Sequence, residues 1–139
     1  SFPKNIIGCK DSGYNLYENL KLPNFLIFPG SESKLLKGLE LGCSGCISAV
    51  TNVTHSIARK VFDDFENKKK QTVNEKLILV RETFDKYNLI SALHSFMSVH
   101  NPQFKNLLPP LVLLSNEKQK ELLIKLQDLN FIPIKEKAA

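Results

Sequence analysis

An α/β fold, in which a parallel sheet is followed by a run of helices, is the architecture this chain predicts. Three observations carry it. Short apolar runs recur between amphipathic stretches at a spacing of about twenty residues, the length of one strand, its loop and its helix. The runs are near-continuously apolar, which suits parallel strands covered on at least one face. Beyond Asn67 the strand-like runs stop and only helical periodicity remains.

The first unit opens with a strand from Asn5 to Cys9, passes through Lys10-Asp11-Ser12-Gly13, and continues as a short amphipathic stretch from about Tyr14 to Leu20 that ends near Pro23. The second has the strand Phe25-Leu26-Ile27-Phe28, the turn Pro29-Gly30-Ser31-Glu32, and a helix from Ser33 to Leu41 with Leu35, Leu36 and Leu39 on one face. The third has the strand Gly45 to Val50, the turn Thr51-Asn52, and a helix from about Thr54 to Glu66 carrying Ile57, Ala58, Val61, Phe62 and Phe65. Thr72-Val73-Asn74-Glu75 reads as a capping box opening a helix that runs to about Tyr87. A further helix spans Leu89 to Val99 and is stopped by Asn101-Pro102. The last runs from about Asn116 to Asn130 on a stripe of Leu122, Leu123, Leu126 and Leu129. Residues 1–66 thus form a strand-helix region and residues 67–139 a helical one.

In parallel sheets polar residues collect at the carboxyl ends of the strands, where Lys10, Ser12, Gly30, Glu32, Ser48 and Asn52 all fall. Lys10 stands out, because an amine that closes an apolar β-branched run is placed for Schiff-base chemistry. In water a lysine holds its proton up to a pKa of about 10.4 and is a poor nucleophile. Walled into a barrel mouth or cleft it loses hydration, and the free amine becomes available to a ketone carbonyl. A lysine can also end a strand simply to reach solvent.

In order and spacing these segments resemble the carboxyl-terminal half of the dihydrodipicolinate synthase and N-acetylneuraminate lyase superfamily, pyruvate-handling class I aldolases built as (β/α)8 TIM barrels. Gly8-Cys9-Lys10-Asp11-Ser12-Gly13 is similar to the sixth strand with its Schiff-base lysine, and Phe28-Pro29-Gly30-Ser31-Glu32 to the seventh. Gly42-Cys43-Ser44-Gly45-Cys46-Ile47-Ser48, followed by Asn52, looks like the eighth, and Leu108-Pro109-Pro110-Leu111 resembles the double-proline segment before the last helix. Leu108 stands where an arginine is common and His55 near a frequent proline, departures that bear on packing more than on chemistry.

The resemblance implies a pyruvate-dependent lyase without metal or cofactor. Lys10 would form the imine with pyruvate, Gly30 would admit the substrate, and Ile47 would press on the intermediate. By their places after the strands, Ser12, Glu32 and Ser48 are candidates to bind the second substrate, an aldehyde or keto acid. Lys10-Asp11-Ser12-Gly13 looks closer to the dihydrodipicolinate synthase and 2-keto-3-deoxy sugar acid aldolase branches than to the neuraminate lyases. The resemblance further implies five earlier strands, carrying a threonine pair and a proton-shuttling tyrosine, and a cytoplasmic homo-tetramer. Three strand-helix units cannot close a barrel of eight, which needs about 250 residues, so a companion segment with the first five strands is expected. A barrel half that has kept the fold without the chemistry is the alternative from another class.

Composition excludes other classes. The chain is 42% hydrophobic and 24% charged, with no apolar run near the ~20 residues of a membrane span. Its net charge of +5 is spread among acidic residues, without the arginine and aromatic interleaving of nucleic-acid sites; the surplus would attract carboxylate substrates. Cys43-Ser44-Gly45-Cys46 has redox or zinc spacing, yet no second pair or close histidines complete a site. Cys9 and Cys46 are expected to be small buried hydrophobes, and His55, His94 and His100 are too scattered to form a site.

Overall fold

The computed structural model describes residues 5–131, which fall into two compact units parting between Ile78 and Leu79. In the first unit two strands, β1 (Gly8–Asp11) and β2 (Leu26–Pro29), pair in parallel with Lys10 opposite Phe28 and Asp11 opposite Pro29. A single turn of 3-10 helix (Glu32–Lys34) leads into α1 (Leu35–Glu40), and α2 (Thr51–Glu66) follows. Helix α3 (Asn74–Asp85) crosses the division, after which come α4 (Leu89–Met97) and α5 (Asn116–Asp128).

Burial follows the period of each element. On β2, Ile27 and Pro29 are buried and Leu26 is exposed; on β1, Asp11 is buried and Lys10 exposed. One face of the pair is therefore backed and the other is open. Leu35 and Leu39 of α1 meet Ala58 and Val61 of α2 and Leu77 in one core cluster, while Tyr17, Ile27 and Cys43 form a second. In the other unit the core is Val80, Phe84, Ala92, Leu93, Phe96, Leu122 and Leu126, with the Phe84 and Phe96 rings edge to face at 5.6 Å.

Three sequence expectations change. The strand expected over Asn5 to Cys9 lies later, at Gly8–Asp11, so that Lys10 and Asp11 are themselves in the sheet. The stretch from Tyr14 to Leu20 makes one turn, with Leu16 O accepting from Asn19 N and Leu20 N, rather than a helix. Seven residues repay helix nucleation poorly, and Tyr14 sits at φ 57°. The third strand, expected over Gly45 to Val50, is an extended segment that lies along β2 without closing a ladder. Ser44 N donates to Ile27 O and Ile47 N to Pro29 O, both at 3.1 Å. Three residues of the segment thus advance against two of β2, the mismatch of a bulge. Gly45, at φ +145°, lies within that step.

The helical expectations agree closely in type, and α2 starts three residues early, at Thr51. Helix α1 ends in a Schellman motif: Cys43 N bonds Gly38 O at 2.8 Å and Gly42 N bonds Leu39 O at 3.0 Å. Gly42 supplies the required left-handed residue at φ +91°. This turn delivers the chain from α1 into the extended segment.

Candidate active site at the strand ends

The open face of the sheet carries Lys10. Paired residues in register share a face, so Phe28 stands beside the lysine. A Cβ on Gly45 would lie 3.7 Å from the Phe28 ring, which puts that glycine against the same face. Ile47 N bonds Pro29 O as Leu26 N bonds Ile7 O, which sets Ile47 opposite Gly30, two residues past Phe28 and so on the same face, where it is exposed. An exposed amine, an aromatic ring and a β-branched side chain thus share one face where the strands end. Among the described residues no hydrogen bond or ion pair engages the Lys10 ammonium.

Asp11, the next residue, points to the other face and is buried. One of its carboxylate oxygens accepts from Leu16 N and Tyr17 N, both at 2.9 Å. Burial pushes this carboxyl up, but the N–H groups of Tyr17, Leu16, Tyr14 and Asn15 outweigh it and hold it below the ordinary value. The loop after β1 is therefore wound around a fixed negative charge, and this is why the expected helix does not form there. A short carboxylate just before a turn was the sequence signal.

Gly30 donates its N–H to Asp11 O at 2.8 Å. A Cβ there would stand 3.0 Å from both the Cα and Oγ of Ser12, so the close approach that this glycine permits is between the two strand ends. Ser12 itself is exposed.

Glu32 and Ser48 are brought together and buried. Ser48 Oγ donates to Glu32 Oε2 at 2.5 Å, and Thr54 Oγ1 donates to Glu32 Oε1 at 3.3 Å. Thr54 also bonds Val50 O at 3.0 Å. Sequence reasoning passed over Thr54, although a hydroxyl on the same stripe as Ala58 and Val61 must find a partner inside. Lys10, Phe28 and Ile47 thus share the open face, with Ser12 and Gly30 at the strand ends beside them. Glu32 and Ser48 lie in the packing behind.

The other candidates separate from this place. Cys43 is buried, its Sγ 3.8 Å from Tyr17 O, whereas Cys9 and Cys46 are half-buried rather than interior. Burial and then the charge of Glu32 push the Cys46 thiol up to about 11, and burial with the Asp11 charge raises Cys43. Neither makes a ready thiolate. His94 bonds Phe104 O through Nδ1 at 2.9 Å, within the helical unit. Among the described residues no group of three or more His, Cys, Asp or Glu is arranged for a metal ion, and no helix is long and apolar enough to cross a membrane. A cavity of about 360 Å³ lined by Tyr17, Leu20, Lys21, Phe25 and Cys43 lies at the opposite, amino end of β2.

Residues 2–129 match the sequence profile of the Dihydrodipicolinate synthetase family. No curated protein matches this chain in sequence. Among solved structures it is similar to a dihydrodipicolinate synthase from Thermotoga maritima, with 18% identity and a TM-score of 0.78, over 93% of this chain and 48% of that one. A prophage protein of the dihydrodipicolinic acid synthase family from E. coli, solved in complex with pyruvate, gives 19% and 0.80 over 92% and 47%. A dihydrodipicolinate synthase from Agrobacterium tumefaciens gives 23% and 0.74 over 92% and 45%. The chain spans about half the length of the solved structures it matches, and at these identities the likeness is one of fold, that of part of a TIM barrel.

Proposed function

Since the chain belongs to the dihydrodipicolinate synthetase family, we propose that it supplies the Schiff-base half of a pyruvate-dependent class I aldolase. The observation that carries this reading is Lys10 exposed on the open sheet face and paired with Phe28. In the proposed reaction the Lys10 amine attacks the keto carbon of pyruvate, water leaves, and the protonated imine withdraws electrons from the neighbouring methyl carbon. Loss of a proton there gives an enamine, which adds to the carbonyl of an aldehyde or keto acid; hydrolysis then frees the product and the amine. Run backwards, the same steps cleave a keto acid. No metal or organic cofactor is needed.

In this reading Phe28 gives the amine apolar surface, Ile47 presses on the intermediate from the same face, and Ser12 bonds the incoming substrate. The remaining parts of the site, a carboxylate-binding threonine pair and a proton-shuttling tyrosine, belong on a companion segment with the first strands, within a cytoplasmic homo-tetramer. The order Lys10-Asp11-Ser12-Gly13 favours the dihydrodipicolinate synthase reaction over the cleavage of neuraminate, with 2-keto-3-deoxy sugar acids as the next substrate class.

Borohydride trapping of the intact protein in the presence of pyruvate, read by peptide mass spectrometry, tests this. A reduced pyruvate adduct on Lys10, absent from Lys10→Arg, is expected. A folded protein that forms no adduct would exclude the aldolase and leave a barrel half that keeps only the fold.

A further inference from the structure

Ile47 sits on a segment that the sheet holds weakly. Two backbone bonds, from Ser44 N and Ile47 N, tie it to β2, and the three-against-two step between them leaves no regular ladder. A stretch anchored in this way slides or lifts easily, because each missing rung removes a constraint on register. Something else must fix Ile47 on the open face.

The residues immediately after it provide the anchor. Ser48 turns its hydroxyl inward to Glu32 Oε2 at 2.5 Å, and its carbonyl accepts from Thr51 Oγ1 at 2.5 Å, in the first turn of α2. One turn later Thr54 reaches the other oxygen of the same carboxylate at 3.3 Å. Glu32 itself is fully buried at the start of the 3-10 turn after β2, and the preceding Ser31 caps that turn by accepting from Ser33 N. A single carboxylate thus joins three pieces of chain: the loop after β2, the extended segment and α2.

We propose that Glu32 is a positioning residue that acts through Ser48 and Thr54 to hold Ile47 on the open face that Lys10 shares, rather than a contact of the second substrate. This rests on the Schiff-base reading for what Ile47 does there. Buried hydrogen bonds to a charged acceptor are the short and strong kind, and inside the protein their loss is not made good by water. Releasing Ser48 frees the peptide that carries Ile47, and small misplacements beside a reacting group cost rate far more than they cost binding.

The test compares Ser48→Ala, Thr54→Val, Glu32→Ala and Glu32→Gln in the intact protein. Two readouts are taken: the rate and pyruvate KM of adduct formation on Lys10, and amide hydrogen exchange at Ile47, which needs no chemistry. Ser48→Ala and Glu32→Ala are expected to slow adduct formation about 10- to 100-fold while KM moves little, and to speed exchange at Ile47 with α5 unaffected. Glu32→Gln, which keeps an acceptor of the same size for Ser48, should restore most of both. Should Glu32→Ala fail to fold, Ser48→Ala and Thr54→Val still decide. Unchanged exchange at Ile47 in folded Ser48→Ala overturns the proposal, as does a Glu32→Gln protein whose only defect is a raised KM for the aldehyde. If the parent protein forms no adduct but exchange responds as expected, the aldolase reading falls and the anchor stands.

Discussion

Asp11 shows how one side chain can decide both local structure and pH response. Its carboxylate satisfies Leu16 N and Tyr17 N, so Asp11→Ala leaves two partly buried donors unpaired and should cost about 1–3 kcal/mol, read as a lower midpoint in urea. Asp11→Asn, which keeps one acceptor oxygen, should cost less. Because the folded carboxyl is held below its ordinary value of 3.8, the folded state binds this proton less readily than the unfolded chain does. Its contribution is therefore fully present above about pH 4 and drains away as pH falls through the folded value. The parent's stability should drop more steeply over that acid range than that of Asp11→Ala; parallel pH profiles would show that Asp11 is not the group responsible. Lys10 was legible in the sequence because an amine at the end of an apolar run is chemically odd. Asp11 was named only as part of the motif, and its work shows only once Leu16 and Tyr17 are seen bending back to it.

At the scale of elements, the β1–β2 pair depends on a residue that contributes no side chain. A Cβ on Gly8 would stand 2.6 Å from Leu26 O and 2.9 Å from Leu26 Cβ, and backbone cannot yield as a flexible side chain does. Gly8→Ala should push the strands apart at the first rung and cost about 1–3 kcal/mol, with faster amide exchange at Leu26, whose N–H bonds Ile7 O at 2.8 Å. Unaltered exchange there would show that the pair adjusts without strain. The helices were readable because their apolar residues recur at helical spacing, as Leu122 and Leu126 do on α5. The strand expected at Gly45 to Val50 could not be judged in the same way. Its composition suits a strand, but whether it closes a ladder depends on the register it takes against Ile27 and Pro29, and no local signal encodes that step. The stretch from Tyr14 to Leu20 misled for the converse reason, since its pattern is helical while its amides are claimed by a carboxylate outside the pattern.

For the molecule as a whole, the first unit presents a contrast between its two sides. Ile27, Pro29 and Asp11 are buried on one side of the sheet, whereas Lys10 and Leu26 on the other are exposed, and Ile6, Ile7 and Ile47 are exposed as well. An apolar face next to unpaired strand edges is rare on a finished surface, and the solved structures similar in fold are about twice as long as this chain. The candidate site was legible in part: Lys10, Gly30 and Ile47 stand out in the sequence, whereas the burial that takes Glu32 and Ser48 off the open face does not show there. We expect the 139-residue chain, studied by itself, to bind an apolar dye such as ANS and to self-associate as its concentration rises. Adding a polypeptide that carries the first five strands of a family barrel should suppress both and create pyruvate adduct formation at Lys10. A monomeric chain that binds no dye would mean that this face is closed by the chain's own residues, and the companion segment would then have nothing to cover. Dye binding that the added strands do not reduce would point instead to a surface used between copies of this chain, with the amine buried in that contact and out of reach of pyruvate.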